Sequence, residues 1–249
     1  MLNLRANPNA TWKWYGENDP YYGVLAHPKF RMDETRAEFF ATGEEYVASL
    51  LRTIRQRFDA VPAFDRVLDF GCGVGRVLIP LARISSSVIG VDISPGMLRE
   101  AQKNSTEARL KNVTLVSSVA DATGPFDFVH SSLVLQHMPV RHGLRTILQL
   151  CQKLSARGIM LIQFPLAHRK SFIRTVSYWL RCHILGINPL VNPLFNVLRG
   201  RPARLPMMQM NVYPVNEVLT LVEPYCKFIL LEAPREGEHL SVILIAQRR

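Results

Sequence analysis

The chain has 249 residues, enough for one well-buried α/β domain and tight for two. Hydrophobic residues make up 48% and charged residues 20%, which excludes an intrinsically disordered chain. No apolar run reaches the roughly 18 uncharged residues that suggest a membrane-crossing helix.

The formal net charge is +10, and it is unevenly spread. No Asp or Glu occurs between Phe128 and Asn216, a stretch that carries Arg141, Arg145, Arg174, Arg181, Arg199, Arg201 and other cations. Such a one-sided field concentrates anionic partners: nucleic acid, lipid headgroups or a phosphorylated substrate. A solvated basic face with no specific partner is the equal alternative. The four cysteines, Cys72, Cys151, Cys182 and Cys226, form no CxxC pair, so free thiols are expected rather than a zinc site. Met1 to Asn9 is too polar for a signal peptide, and the expectation is a cytoplasmic protein, with peripheral contact at the inner membrane face left open.

In chain order, residues from Thr11 to Phe30 are rich in aromatics, with Trp12, Trp14, Tyr15, Tyr21 and Tyr22 around turn signals at Gly16 and Asp19-Pro20. Asp33 to Phe58 reads as one or two helices, because Tyr46, Val47, Leu50, Leu51, Ile54 and Phe58 keep helical spacing; Gly43 is the expected break. Strands are predicted at Val67–Phe70, Ser87–Val91, Val113–Val116, Phe126–Val129 and Gly158–Phe164. Helices between them are predicted at Val74–Ile84, from Ser94-Pro95, and at Arg141–Leu154. This alternation implies a parallel sheet covered on both faces. Val215–Val222 reads as a last helix. Phe228–Leu231 and Leu240–Ala246 are joined too closely for a crossover, so they should pair antiparallel. His168 to Met210 interrupts the alternation as an insertion, with Phe172, Ile173, Val176, Trp179, Leu180 and Ile184 on one helical face.

The chemistry concentrates in Val67 to Val77, VLDFGCGVGRV. Asp69 ends a strand, and Gly71, Gly73 and Gly75 follow at alternate positions. Glycines there let a ligand lie against the backbone and the next helix. A dinucleotide fingerprint needs glycine at the place held by Arg76, so the spacing suits a ligand without pyrophosphate. Asp92 ends the second strand, 17 residues after Gly75. A carboxylate there can accept from both ribose hydroxyls, and Ile93 can lie on an adenine face.

These two elements, with the following PFDFVHSSLVLQHM segment, resemble the class I S-adenosylmethionine-dependent methyltransferases over about Arg66 to Phe164. The resemblance implies S-adenosylmethionine as cofactor, with Gly71, Gly73 and Gly75 at its methionine end and Asp69 and Cys72 in the same pocket. It implies Asp92 on the ribose, with Ile93 and Met97 beside it. Ser118, Val119, Ser131 and Leu133 complete the implied pocket. Many members carry an acid just after the third strand, for the adenine amino group. Here Asp121 is two places late, and Ser118, the Val119 backbone or Asp121 stands in for it.

Methyl transfer from a sulfonium is dominated by positioning, although a hydroxyl or amine nucleophile can need a base. His137, in the turn after the fourth strand, is the first candidate for that base and His130 the second; a structural histidine is the competing reading for each. No metal is expected, because hard cations need oxygen ligands and the segment after the fourth strand has no acid. The Asn/Asp-Pro-Pro-Tyr turn of amino-methylating nucleic-acid enzymes is replaced by His130-Ser131-Ser132-Leu133. Trp12 to Tyr22 reads either as a lid over the cofactor or as packing for the helix at 33–58. The insertion caps the acceptor pocket, rests on a membrane interface, or makes a dimer or core contact.

The expectation is therefore an α/β fold: a doubly wound, mostly parallel seven-stranded sheet with a C-terminal antiparallel hairpin. It is divided into an N-terminal lid and helices (1–60), a cofactor-binding core (61–165), a helical insertion (166–212) and the final helix and strand pair (213–249). The expected activity is metal-independent O-methylation of a small molecule, such as a sugar, glycolipid or secondary metabolite, with an anionic or lipid-linked acceptor in view. An RNA methyltransferase and a non-catalytic cofactor-binding subunit are the alternatives. The sequence sets no oligomeric state.

Overall fold

A computed structural model of the protein describes residues 8–58, 64–168, 191–198, 203–233, 235–236 and 239–249. The helical face expected at Phe172 to Ile184 lies outside the described residues.

The strands are β1 (Arg66–Phe70), β2 (Ser87–Val91), β3 (Val113–Val116), β4 (Phe126–Ser131), β5 (Leu154–His168), β6 (Cys226–Glu232), β7 (Arg235–Glu236) and β8 (His239–Arg248). They form one sheet in the order β3-β2-β1-β4-β5-β8-β6, with β7 on β8. Pairing is parallel from β3 to β5. β8 then runs antiparallel to both β5 and β6, as the short C-terminal connection required. The chain order reverses beside β1, and Gly71 and Asp92 both follow strand C-termini at that point. In open α/β sheets this is where a ligand crevice forms.

Helices cover the sheet: α1 (Pro8–Asn18), α2 (Pro20–Val24), α3 (Arg36–Arg57), α4 (Leu78–Arg83), α5 (Pro95–Glu107), α6 (Val140–Gln152), α7 (Val191–Leu198) and α8 (Val215–Val222). One core joins β4, β5 and β8 to α6 and α8 through Val129, Ile147, Leu150, Ile162, Leu244 and Val218. A second joins the sheet to α3 and α4 through Val47, Leu50, Ile54, Val67, Leu78 and Phe128. Burying each such side chain contributes about 1.5–3 kcal/mol. A third, aromatic cluster gathers Tyr15, Tyr21, Phe30 and Phe39 against Val74, Met97 and Leu205.

Two local expectations are corrected. α4 begins at Leu78, not Val74, because Gly71, Gly73 and Gly75 all adopt positive φ (+77°, +53° and +94°) and hold the chain in a turn. Gly43 does not break the helix: α3 runs through it. A Cβ on Gly43 would stand 2.0 Å from the Arg76 carbonyl oxygen, so glycine is there for close approach of α3 to the turn. Gly43→Ala should overpack this contact by about 1–3 kcal/mol. Thermal denaturation followed by circular dichroism should show a fall in Tm of roughly 2–10 °C; an unchanged Tm would show that the contact yields freely.

Candidate functional site

A cavity of about 300 Å³ opens at the strand C-termini, where β1, β2 and β4 end. Its floor is the glycine turn. Gly71 N–H and Cys72 N–H both donate to the Val91 carbonyl, at 2.7 and 3.0 Å. A Cβ on Gly71 would fall 2.1 Å from Val134, and one on Gly73 would fall 2.6 Å from Val24. Backbone thus forms the surface where side chains would fill it.

Asp92 stands beside that turn. Its Oδ2 accepts from Gly73 N–H at 3.0 Å and its Oδ1 from Ser94 N–H at 2.9 Å. Each oxygen keeps a lone pair for a further donor. Burial pushes its carboxyl up from 3.8 to about 6, against the two backbone hydrogen bonds. Ser94 caps α5 by accepting from Met97 N–H, with Pro95 opening the helix, as its sequence foretold.

The cavity is also lined by Asp69, Cys72, Ile93, Met97, Ser118, Val119 and Leu133. Ile93 is 43% exposed and offers an apolar face; Leu133 reaches the wall from a backbone at φ +61°. Two expected pocket residues are placed elsewhere. Gly75 shapes the turn, accepting from Ile79 N–H, and Ser131 is buried at the end of β4 with its hydroxyl unpaired; neither is among the lining residues. Ser118 is both at the wall and the cap of the short turn Val119–Asp121, its hydroxyl accepting from Ala120 N–H. Asp121 is exposed and is not a lining residue.

The two histidines differ. His130 and Asp69 are buried together at the base of the site. The His130 Nδ1–H donates to Asp69 Oδ1 at 2.7 Å, since an ionised carboxylate can only accept. Its Nε2 is hydrogen-bonded to the Tyr46 hydroxyl on α3, at 3.0 Å. Both nitrogens of His130 therefore have protein partners, although the residue also borders the cavity.

His137 lines the cavity. Its Nδ1–H donates to the Gln209 carbonyl at 2.7 Å, and its Nε2 accepts from the Gln136 amide at 3.2 Å. Burial pulls its pKa down to about 4, so the ring is neutral at physiological pH. The Trp12 ring packs on it, with centroids 4.6 Å apart.

The aromatic N-terminal segment packs on α5, and some of its residues line the cavity. Gly16 and Gly96 bring α1 onto α5, where a Cβ on Gly96 would stand 2.4 Å from Gly16 backbone atoms. Val24 and Trp12 meanwhile close over the cavity. The segment after α7 completes the frame: Tyr213 O–H donates to the Leu135 carbonyl at 2.7 Å, and Asn211 N–H to the Gln136 carbonyl at 2.6 Å. Sequence reasoning missed Val24, His142, Thr146 and Gln149 in the lining. The last three recur at three- and four-residue spacing on α6, the one available signal.

The model of the methyltransferase domain family matches residues 43–193, more than half of the chain. The protein belongs to that family, and its fold is that of the class I S-adenosylmethionine-dependent methyltransferases. The chain is 34% identical over 114 residues to aklanonic acid methyltransferase DauC of Streptomyces sp. (strain C5), covering 43% of this chain and 51% of the relative. It is 29% identical over 151 residues to the 23S rRNA (uracil(1939)-C(5))-methyltransferase RlmD of Edwardsiella ictaluri, covering 57% and 32%. The chain thus spans about half or less of the length of these relatives. Magnesium protoporphyrin IX methyltransferase (ChlM) from Synechocystis PCC 6803, solved with bound SAM, superposes with a TM-score of 0.62 at 20% identity, over 99% of this chain and 100% of that one.

His130→Ala should leave a buried Asp69 oxygen without its donor, at a cost of about 1–3 kcal/mol in urea unfolding. Tyr46→Phe removes only the outer hydrogen bond and should cost less. No loss from His130→Ala would show that the pair carries no stability, and an equal loss from Tyr46→Phe would overturn the ranking of the two contacts.

Proposed function

We propose that the cavity binds S-adenosylmethionine and that the protein transfers its methyl group to a small-molecule acceptor, a hydroxyl being the group the site suits best. The observation that carries this reading is the pairing of Asp92 with the glycine turn. A carboxylate held by two backbone N–H groups adjoins a strip of bare backbone in one cavity.

When bound, the cofactor supplies an electrophilic methyl on a good leaving group. The chain's own residues then have to hold and orient. Asp92 accepts from the ribose hydroxyls. Gly71 and Gly73 admit the amino-acid end, while Ile93, Val119 and Leu133 flank the base. Trp12 and His137 form a ring-lined wall beside Ser132, whose hydroxyl donates to Gln163 Oε1 at 2.5 Å. With its Nδ1–H committed to Gln209, His137 offers Nε2 to an acceptor hydroxyl in place of the Gln136 amide, orienting it and receiving its proton as the methyl moves. A small acceptor is favoured by the scale of the cavity and by the lack of the amino-methylating turn after β4.

A nucleic-acid acceptor is the second reading, motivated by the acid-free stretch from Phe128 to Asn216. RNA binding that weakens steeply with salt would favour it.

Calorimetric titration with S-adenosylmethionine and S-adenosylhomocysteine tests the core of the proposal, with Asp92→Ala as control. Micromolar-range binding that the variant loses is the expected result; no binding by the intact protein would overturn it. The ionised form of Asp92 is the one that accepts from ribose. Affinity should therefore hold above pH 7 and fall as pH drops through about 6, by roughly tenfold at pH 5. His137, with its pKa near 4, stays neutral across that window. A flat profile would remove Asp92 from the ribose.

Among an acceptor series tested for methylated product, His137→Ala should lower kcat for hydroxyl acceptors by about 10²–10⁴-fold with little change in cofactor affinity. A wild-type kcat in that variant would assign the proton to solvent.

A further inference from the structure

Helix α7 is oriented against its own polarity. Its Asn196 turns inward, only 4% exposed, and the side-chain amide donates to the Ala203 and Leu205 carbonyls at 3.1 and 2.8 Å. Leu194, Val197 and Leu198 are spaced by three and four residues and so share one face of the helix. They are 59%, 58% and 74% exposed. Apolar residues scattered singly over a surface are ordinary; three on one helix face, with an amide on the inner side, form a patch. The two Asn196 hydrogen bonds keep the helix this way round, because turning the apolar face inward would give both of them up.

The charge beside the patch has one sign. Arg204 is exposed and lies between the two residues whose carbonyls Asn196 holds, so it is tied to the helix. Arg199 and Arg201 follow the helix directly in the sequence, and no acid occurs from Phe128 to Asn216. On α1, where Tyr15 reaches the Pro206 carbonyl, Glu17 is paired with Arg99.

Three kinds of occupant suit an exposed face, and the charge separates them. A second copy of the chain would bring like charges together across a two-fold contact. A nucleic acid would match the cations and leave the apolar side chains in water. An anionic lipid surface matches both, with headgroups for the arginines and the acyl boundary for Leu194, Val197 and Leu198. Among the described residues no helix is long and apolar enough to cross a membrane. The eight residues of α7, about 12 Å in length, suit a helix that lies in the interface plane.

We propose that α7 and Arg204 dock the protein on an anionic lipid surface. The chain leaving this helix runs to the cavity: Leu205 packs with Tyr15, Phe30 and Met97, and the Gln209 carbonyl accepts from His137. Docking thus acts at one end of the segment that frames the site. The proposal does not depend on which cofactor the cavity holds.

The test is flotation of the full chain with vesicles of phosphatidylcholine alone and of phosphatidylcholine mixed with phosphatidylglycerol. Binding to the anionic vesicles that weakens with salt, and little binding to the neutral ones, is the expected result. Val197→Ser combined with Leu198→Ser should weaken it by at least about tenfold. Leu198→Ser alone, at the most exposed of the three positions, should weaken it less and stays readable if the double variant fails to fold. Arg204→Gln should weaken it roughly fivefold, the share of one cation near such a surface. No flotation of the wild-type chain would overturn the proposal. So would wild-type flotation by the folded serine variants, which would leave the attraction to basic charge alone. In sedimentation velocity without lipid, a dimer that the serine variants dissociate would give the face to a second copy and overturn the lipid assignment. RNA binding in place of vesicle binding would do the same in favour of a nucleic acid.

Discussion

The site depends on the two hydrogen bonds by which Asp92 ties the end of β2 to the glycine turn and to α5. The turn itself is held by the Val91 carbonyl, which accepts from both Gly71 and Cys72. The first two crossovers of the sheet are therefore fastened to each other at the cavity. Three consecutive alternate residues at positive φ are what make this geometry possible, and a side chain at Gly71 or Gly73 would meet Val134 or Val24 as well as an unfavourable backbone. Asp92 is held in a place where burial opposes its charge, raising its pKa to about 6. In the protein alone, the folded state binds more protons than the unfolded chain between pH 3.8 and about 6, so stability declines as pH rises through that window. A ligand that donates to the carboxylate offsets the cost, which couples binding to the stability of the turn.

The roof is fastened as firmly as the floor, by different means. α1 reaches α5 through a glycine-on-glycine contact, Tyr15 O–H donates to the Pro206 carbonyl at 2.9 Å, and Tyr21 O–H donates to Asn104 Oδ1 at 3.1 Å. Asn104 in turn donates to the Val74 carbonyl at 2.8 Å, so the aromatic segment is linked through α5 to the glycine turn. Packing and covering are one function here. The aromatic residues that bury Phe39 and Met97 also place Trp12 and Val24 over the cavity.

Much of this was legible in the sequence, for physical reasons. β2, β3 and α8 have the bounds that their apolar runs and helical spacing gave, because those segments are fixed by local burial. The Ser94-Pro95 start is set by capping chemistry within four residues. The glycine turn and Asp92 were readable because a backbone that must approach a ligand excludes side chains. What escaped depends on partners distant in sequence. Gly43 reads as a breaker until Arg76, 33 residues away, is placed against it. Helix α4 lost its first turn to glycines whose conformation only the Val91 carbonyl and Asp92 explain. His130 is placed by its nearness to the fourth strand's end, but what its nitrogens touch is decided by Asp69 and Tyr46, from two other elements.

The two histidines differ in what their ring nitrogens touch. His130 spends both nitrogens on Asp69 and Tyr46, so it transmits the position of α3 to the strand that carries the glycine turn. His137 spends its Nδ1–H on a backbone carbonyl and meets only a side-chain amide at Nε2, and an amide can turn away at the cost of one neutral hydrogen bond. Its pKa near 4 makes it a weak base in the ground state. That is less of a handicap for a sulfonium donor than for most leaving groups, because the nucleophile's proton need move only as the new bond forms. The same burial that lowers its basicity keeps the imidazole uncharged beside the Trp12 ring, so that, on the proposed reading, it does not compete as a cation with a positively charged methyl donor. On the proposed reading, a neutral, rigidly oriented imidazole suits this cavity better than a more basic one held loosely.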